Sequence, residues 1–151
     1  MSACTSTDQS GVVDTTDAVD GSVPIATDDT VLIAVEGASE CATALAAFSA
    51  VSNILMSGLA KPSSFEAERY EQNLELTSGV ITAEIATVYE VFKTGYGTAG
   101  EALATARDVG VGTAQGEDAV DEATAILNDV AVTDAAQEVA TFLANDCVIN
   151  R

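Results

Sequence analysis

The sequence predicts an all-α protein, and three observations lead to this prediction. Apolar residues recur every three or four positions along several segments, while no segment alternates between apolar and polar residues for the length of a strand. Glycine and proline fall between these segments, where helices end. The chain is 48% hydrophobic but has no Trp, three Tyr and four Phe, so its core is predicted to consist of Ala, Val, Leu and Ile.

Residues 1–26 differ in composition from the rest of the chain. They are rich in Ser, Thr, Asp and Gly, which predicts a flexible, acidic N-terminal arm. Residues 27–151 are predicted to form a single helical domain, because this length is enough to bury a core.

Two long antiparallel helices are predicted, at about 30–60 and 64–93. The first begins after Thr27-Asp28-Asp29, which provides N-cap chemistry, and ends at Lys61-Pro62. Ser63 and Glu66 form a capping-box pattern for the second helix. One face of that helix carries an apolar stripe, formed by Leu74, Ser78, Ile81, Ile85, Val88 and Phe92.

Two or three shorter helices are predicted in the C-terminal part, at about 99–108, 116–128 and 134–146. The first is predicted to end at Gly110 and Gly112. Thr133 is the predicted N-cap of the last helix, with Asp134 in its first turn.

Gly95-x-Gly97-x-x-Gly100 matches the dinucleotide-binding fingerprint. That fingerprint binds pyrophosphate only where a strand precedes it and a helix follows it. Here the preceding residues continue a helical stripe. We therefore interpret the glycines as a helix C-cap and hinge, and predict no cofactor.

Two acidic clusters contain the carboxylate oxygens that bind hard metal ions. In the first, Asp14, Asp17, Asp20 and Gly21 do not fit the calcium-loop pattern, because Val19 stands where the invariant glycine is needed. The second cluster has helical spacing and consists of Glu117, Asp118, Asp121 and Glu122. We predict no defined metal site.

The charge excludes several functions. The net charge is −19 and the chain contains no His, so nucleophile pairs that use His as the base are impossible. Nucleic-acid binding needs Lys and Arg, and residues 1–60 contain neither. We predict no catalytic residues, no enzyme activity and no nucleic-acid partner.

The three cysteines are Cys4, Cys41 and Cys147. An odd number without metal-ligand spacing argues against a disulfide framework. Cys41 and Cys147 lie among apolar residues, so we expect buried thiols. The sequence leaves open whether these two pair.

The segment Cys41–Ala60 contains no charged residue and is long enough to span a membrane. It includes polar residues such as Ser49, Ser52 and Asn53, and has no basic flank or aromatic belt. We expect a helix packed within an assembly and no membrane contact. The N-terminus shows no secretory signal pattern, so we expect a cytoplasmic protein or one packaged into a particle.

The central part of the chain resembles the RebB-type, or killing-trait, family. The residues that carry the resemblance are Thr16-Asp17-Ala18-Val19, the small-residue run Ala42–Ala60, Glu71-Gln72-Asn73, and Gly79 through Val88-Tyr89. Members of this family build refractile bodies (R-bodies), rolled ribbons in the bacterial cytoplasm that extend on acidification. The resemblance implies a polymeric structural role and assigns no functional residue.

Our leading hypothesis is a self-assembling structural protein that forms a polymer or an R-body-like ribbon through apolar helix packing, alone or with paralogous subunits. Without His, any response to acid must come from carboxylates and is expected below about pH 6. Two alternatives remain open: a virion or tail protein of a virus of a halophilic host, and a membrane-active, toxin-like protein that uses Cys41–Ala60.

Overall fold

The computed structural model describes the backbone of residues 29–147 and the side chains of residues 39–147. Over this range the protein has five α-helices and no strand, which confirms the all-α prediction. The helices are α1 (Asp29–Ala60), α2 (Ala67–Ser78), α3 (Ala86–Val109), α4 (Ala114–Leu127) and α5 (Val130–Thr141). A 3₁₀ turn, Pro62–Ser64, follows α1, and a π-helical turn, Phe142–Asp146, follows α5. The predicted arm, 1–26, lies outside the described residues.

The helices form an up-down-up-down bundle whose two ends are marked by different contacts. At one end, Gly58 of α1 lies against Phe65 and against Leu103 near the end of α3. At the other end, Cys41 of α1 is bonded to Cys147, the last described residue. We call these the Phe65 end and the disulfide end. Helix α2 packs antiparallel to α1, and α3 returns parallel to α1.

Helices α4 and α5 share the fourth position of the bundle. Gly116 in the first turn of α4 lies against the Gly110 carbonyl, just beyond α3. Val132 in the first turn of α5 packs on Gly95 in the middle of α3. Both helices contact α3 extensively and each other little. They therefore follow one another along α3, with α4 on its second half and α5 on its first half.

An aromatic cluster lies where α1 meets α3. The Phe92 ring is fully buried, and its centroid lies 5.3 Å from that of Phe48 and 4.4 Å from that of Tyr96. Tyr89 adds a third contact at 5.8 Å. Small aliphatic residues fill the rest of the core, as the composition predicts.

The predicted long helix 64–93 is wrong, because α2 ends at Ser78 and α3 begins at Ala86. The chain reverses between them through short-range bonds from Ile81 N to Ser78 O and from Ile85 N to Thr82 O, both 3.2 Å. The apolar stripe continues in register across this reversal, so its spacing did not reveal the break. Gly79 and the β-branched residues after it favour a break, since both have low helix propensity.

The predicted cap at Ser63 is also wrong. Ser63 lies in the 3₁₀ turn, and α2 begins at Ala67 after Glu66, which makes no side-chain cap hydrogen bond. Phe65 adopts an extended conformation between the two elements and is buried. The buried, extended Phe65 therefore separates the 3₁₀ turn from α2.

The glycine run does not end a helix. Gly95, Gly97 and Gly100 lie inside α3, which continues to Val109. The predicted C-cap and hinge is therefore wrong, and the predicted separate helix 99–108 is the second half of α3. The helix ends at Gly110, whose φ of 84° suits glycine.

The two C-terminal helices are present, and the positions of their N-caps explain their bounds. The helix predicted at 116–128 is α4, capped by the Thr113 hydroxyl, which accepts from Gly116 N at 3.0 Å. The helix predicted at 134–146 begins earlier, at Val130, because Asp129 caps it through Ala131 N at 2.8 Å. The prediction of Thr133 as N-cap is therefore wrong.

Cys41 and Cys147 are both buried, as expected, but they are not free thiols. They form a disulfide with a Cα–Cα distance of 5.9 Å, which lies in the usual range. The two cysteines are separated by 106 residues in sequence, so only the fold shows that they meet.

Candidate functional site

The glycine motif of α3 allows side chains of neighbouring helices to pack closely against α3, and it does not form a ligand-binding loop. A Cβ added at Gly95 would lie 2.6 Å from Val132 Cγ2, and one at Gly100 would lie against the Tyr70 ring. The Tyr70 hydroxyl donates to the Tyr96 carbonyl of α3 at 2.5 Å. Side chains of α2 and α5 therefore occupy the space that the glycines leave. Gly97 has no heavy atom within 4 Å of an added Cβ.

The second acidic cluster lies on the exposed surface of α4, at Glu117, Asp118, Asp121 and Glu122. Within residues 39–147, no group of three His, Cys, Asp or Glu side chains is placed to hold a metal ion. Asp14, Asp17 and Asp20 lie outside the described residues.

The surface that stands out is the side of α1 turned away from the core. Its residues are three or four positions apart and all are exposed: Ala42, Ala46, Ser49, Asn53, Met56 and Ala60. We call this set the outer face of α1. It carries no charge over its whole length, although the chain has a net charge of −19.

The opposite side of α1 explains why the outer face points outward. Cys41, Ala44, Val51 and Leu55 are each at most 2% exposed, and they recur at helical spacing on the inner side. Because 3.6 residues make one turn, residues offset by about half a turn from these positions must point away from the bundle. The same sequence run therefore supplies both a core face and an uncharged surface.

Charged residues flank the outer face in the sequence. Glu40 precedes it, on the side of α1 that faces α2, and the exposed Lys61 follows it at the Phe65 end. Nearby, Arg69 pairs with Glu66 at 3.0 Å, and Arg107 pairs with Asp108 at 2.7 Å. The hydrogen bond from Arg107 lowers the pKa of Asp108.

Two shallow grooves run beside the outer face, between α1 and α2. The first lies at the disulfide end, and its lining includes Thr43, Leu76 and Val80. Leu76 is 52% exposed there. The second lies towards the Phe65 end, and its lining includes Asn53, Ser57 and Arg69. A helix laid on the outer face would therefore also contact the edge of α2.

Two buried hydroxyl contacts that the sequence did not indicate tie α2 to α3. Thr77 Oγ1 lies 2.9 Å from the Tyr89 hydroxyl, and the Tyr70 hydroxyl bonds to α3 as described above. Burial raises the pKa of both Tyr70 and Tyr89. These groups connect α2 to α3.

No protein-family model, curated protein or solved structure matches the chain. The resemblance to the killing-trait family therefore remains a prediction from the residues quoted above. Within the described residues, one segment, Ser39–Ala60, is long and apolar enough to cross a membrane, with a mean hydropathy of 1.5. Of its most apolar window, 28% is buried inside the bundle.

Proposed function

We propose that the protein is a self-assembling structural subunit whose copies pack through the outer face of α1. The observation that carries the proposal is the absence of charge along this exposed face in a chain of net charge −19. The sequence predicts self-assembly through apolar helix packing, but only five large apolar side chains of the described residues are exposed, and they lie on different elements. The uncharged face is therefore the better basis.

Electrostatics favours this face as the contact between copies. Two subunits of the same strong charge repel one another over most of their surfaces, and the repulsion is smallest where neither carries charge. Small side chains such as Ala42, Ala46 and Ser49 also let two helix axes approach closely. The alternating spacing of three and four residues is the spacing at which helices pack along a common seam.

The spacing of the outer face fits a second copy in the antiparallel orientation. A two-fold axis that crosses this face at the level of Val51 brings the same uncharged side of both copies together. Ala46 of one copy then lies opposite Met56 of the other, and Ala42 opposite Ala60. Along this contact no charged side chain of one copy faces one of the other.

The disulfide is an argument about the redox environment in which such a subunit assembles. Disulfides persist in oxidising environments, which include virion surfaces, and are rare in the cytoplasm. The Cys41–Cys147 bond therefore favours a virion or tail component over a ribbon that stays in the cytoplasm. Both settings require the same self-association, and we propose no catalytic role in either.

Membrane insertion of Ser39–Ala60 is the rival function that the hydropathy of this segment favours. Inserting the segment would require α1 to leave the bundle, since its inner side packs on α2 and α3. Leakage of dye from liposomes by the intact chain, abolished by Ala47→Asp, would support this rival and contradict ours.

Sedimentation velocity over a range of concentrations tests the proposal. Wild-type protein should associate, more strongly as salt rises from about 0.1 M to about 1 M, because salt screens the repulsion. Ala46→Glu should weaken association at least about tenfold. Its matched control is Ala125→Glu, which adds the same charge at an exposed alanine of α4 and should leave association unchanged.

Three results would contradict the proposal. The first is wild-type protein that stays monomeric at every salt concentration and between about pH 4 and pH 8. The second is an equal loss of association in both Glu variants, which would indicate a general charge effect. The third is association that Ala46→Glu leaves intact. Electron microscopy of the associated material then distinguishes ribbons from closed particles.

A further inference from the structure

Residues 41–47 of α1 make few large apolar contacts. The fully buried residues among them are Cys41, Ala44 and Ala47, and Leu45 is half-buried. By contrast, the part from Phe48 onward buries Val51 and Leu55 completely. Burying an alanine methyl contributes far less than burying a Val or Leu side chain. Residues 41–47 therefore depend on something other than hydrophobic packing.

The disulfide to Cys147 is the interaction that fixes residues 41–47 to the bundle. Cys147 follows the π-helical turn Phe142–Asp146, which packs on α5 and α1. The turn closes with a bond from Cys147 N to Phe142 O at 2.8 Å. Single π-helical turns are rare and often mark functional positions. Here the turn places Cys147 next to Cys41 of α1. Phe142 and Leu143, which belong to the turn, are buried.

We propose that formation of the Cys41–Cys147 disulfide switches the subunit from an assembly-incompetent to an assembly-competent state. With both thiols reduced, residues 41–47 detach readily from the bundle, and the half of the outer face that contains Ala42 and Ala46 is not held in place. Oxidation fixes this half, so that the outer face is continuous from Ala42 to Ala60. The inference rests on the proposed function, because it concerns the same face.

The reaction is a thiol–disulfide exchange with an oxidant that itself contains a disulfide. The Cys41 and Cys147 thiols give up two protons and two electrons and form one S–S bond. The disulfide of the oxidant accepts both and leaves as a dithiol. Because both cysteines are at most 2% exposed in the folded chain, the exchange must occur before residues 41–47 dock. Once formed, the bond is shielded from reductants.

This order of events separates synthesis from assembly. In a reducing compartment the chain keeps α2 to α5 folded on one another, since α3 contacts α2, α4 and α5 without the disulfide. Association begins only where an oxidant is present. Premature polymerisation at the site of synthesis is thereby avoided.

The experiment compares oxidised protein, protein kept reduced throughout folding, and the variant Cys41→Ala/Cys147→Ala, all with Cys4→Ser. Hydrogen exchange of backbone amides reports local docking, and sedimentation velocity reports association. In the reduced protein and in the double variant, protection at residues 41–47 and 142–147 should fall at least about tenfold, while α3 and α4 stay protected. Association should weaken at least about tenfold.

Equal protection and equal association in the oxidised and reduced forms would overturn the inference. So would unfolding of the whole reduced chain, because the bond would then be a clamp on the entire fold instead of a switch on one segment. If the oxidised protein does not associate at all, the proposed function fails. The exchange data would then still show whether the disulfide controls the docking of residues 41–47.

Discussion

The two parts of α1 are held to the bundle by different means. Towards the Phe65 end, Val51 and Leu55 are buried, and Gly58 lets Phe65 and Leu103 approach the helix closely. Towards the disulfide end, the inward residues are alanines and a cysteine, and the fixed contact is covalent. One end is thus stabilised by packing and the other by a cross-link, although both belong to the uncharged segment Cys41–Ala60.

This difference shows how the uncharged segment Cys41–Ala60 can be both part of the core and part of the surface. Small residues on all sides of the helix allow close neighbours inside and outside the bundle, but they bury little apolar area. Where the inner side has large residues, the helix needs no cross-link. Where the inner side is as small as the outer side, the disulfide supplies the missing stability.

Removing the cross-link should have the largest effect. Cys41→Ala/Cys147→Ala is expected to lower the free energy of unfolding by about 4 kcal/mol, because the bond closes a long loop and restricts the unfolded chain. Urea denaturation of oxidised protein measures this loss. As a control, reductant added during folding should destabilise the wild type but not the double variant.

Shortening a buried side chain towards the Phe65 end of α1 should cause the next largest loss in the free energy of unfolding. Leu55→Ala is expected to cost about 3 kcal/mol, since a fully buried leucine leaves a cavity. Ala44→Gly at the other end should cost only about 1 kcal/mol, mainly through helix propensity. If urea denaturation gave equal losses for the two variants, the contrast between the two parts of α1 would be wrong.

Close packing at the Phe65 end can be tested with two glycines of α3. Gly100→Ala should destabilise the protein by about 2 kcal/mol, because the new methyl group meets the Tyr70 ring. Gly97→Ala, where the added methyl has open space, should stabilise by about 0.5 kcal/mol. Thermal unfolding shows whether each variant is more or less stable than the wild type. A Gly100→Ala variant more stable than the wild type would contradict the close contact with Tyr70.

Alkaline pH should also destabilise the region around Tyr70, by less than Gly100→Ala does. Burial raises the pKa of Tyr70 in the folded state, so the folded chain keeps this proton when the unfolded chain loses it near pH 10. The stability that comes from the neutral ring is present below about pH 10 and is lost as pH rises further, by about 1 kcal/mol near pH 11. Tyr70→Phe should make unfolding free energy less dependent on pH in this range.

Local signals predicted the bounds of α1, but they were misleading at Ser63 and Thr133, and they did not reveal the contacts of α3. Asp29 and Lys61-Pro62 bound α1 within a residue of the predicted range. The reversal between Ser78 and Ala86 was missed, because the apolar stripe stays in register on both sides. Gly95 and Gly100 were read as a break, because only the fold shows that Val132 and Tyr70 fill the space beside them.

The candidate surface followed in part from the sequence. The uncharged run Cys41–Ala60 was visible at once, but the residues that point outward became clear only from the burial of the inner side. The pairing of Cys41 with Cys147 depends on the turn after α5, which brings two distant parts of the chain together. No local sequence pattern indicates such a long-range contact.

Photo-crosslinking from Met56 tests the central claim most directly. Photo-methionine replaces this exposed side chain with almost no change in shape, and mixed ¹⁴N and ¹⁵N subunits identify crosslinks between copies. Antiparallel packing of two outer faces predicts crosslinks from Met56 to residues around Ala46 of the second copy. Crosslinks confined to one chain, or directed to α4 or α5 of the second copy, would contradict the claim that copies meet through this face.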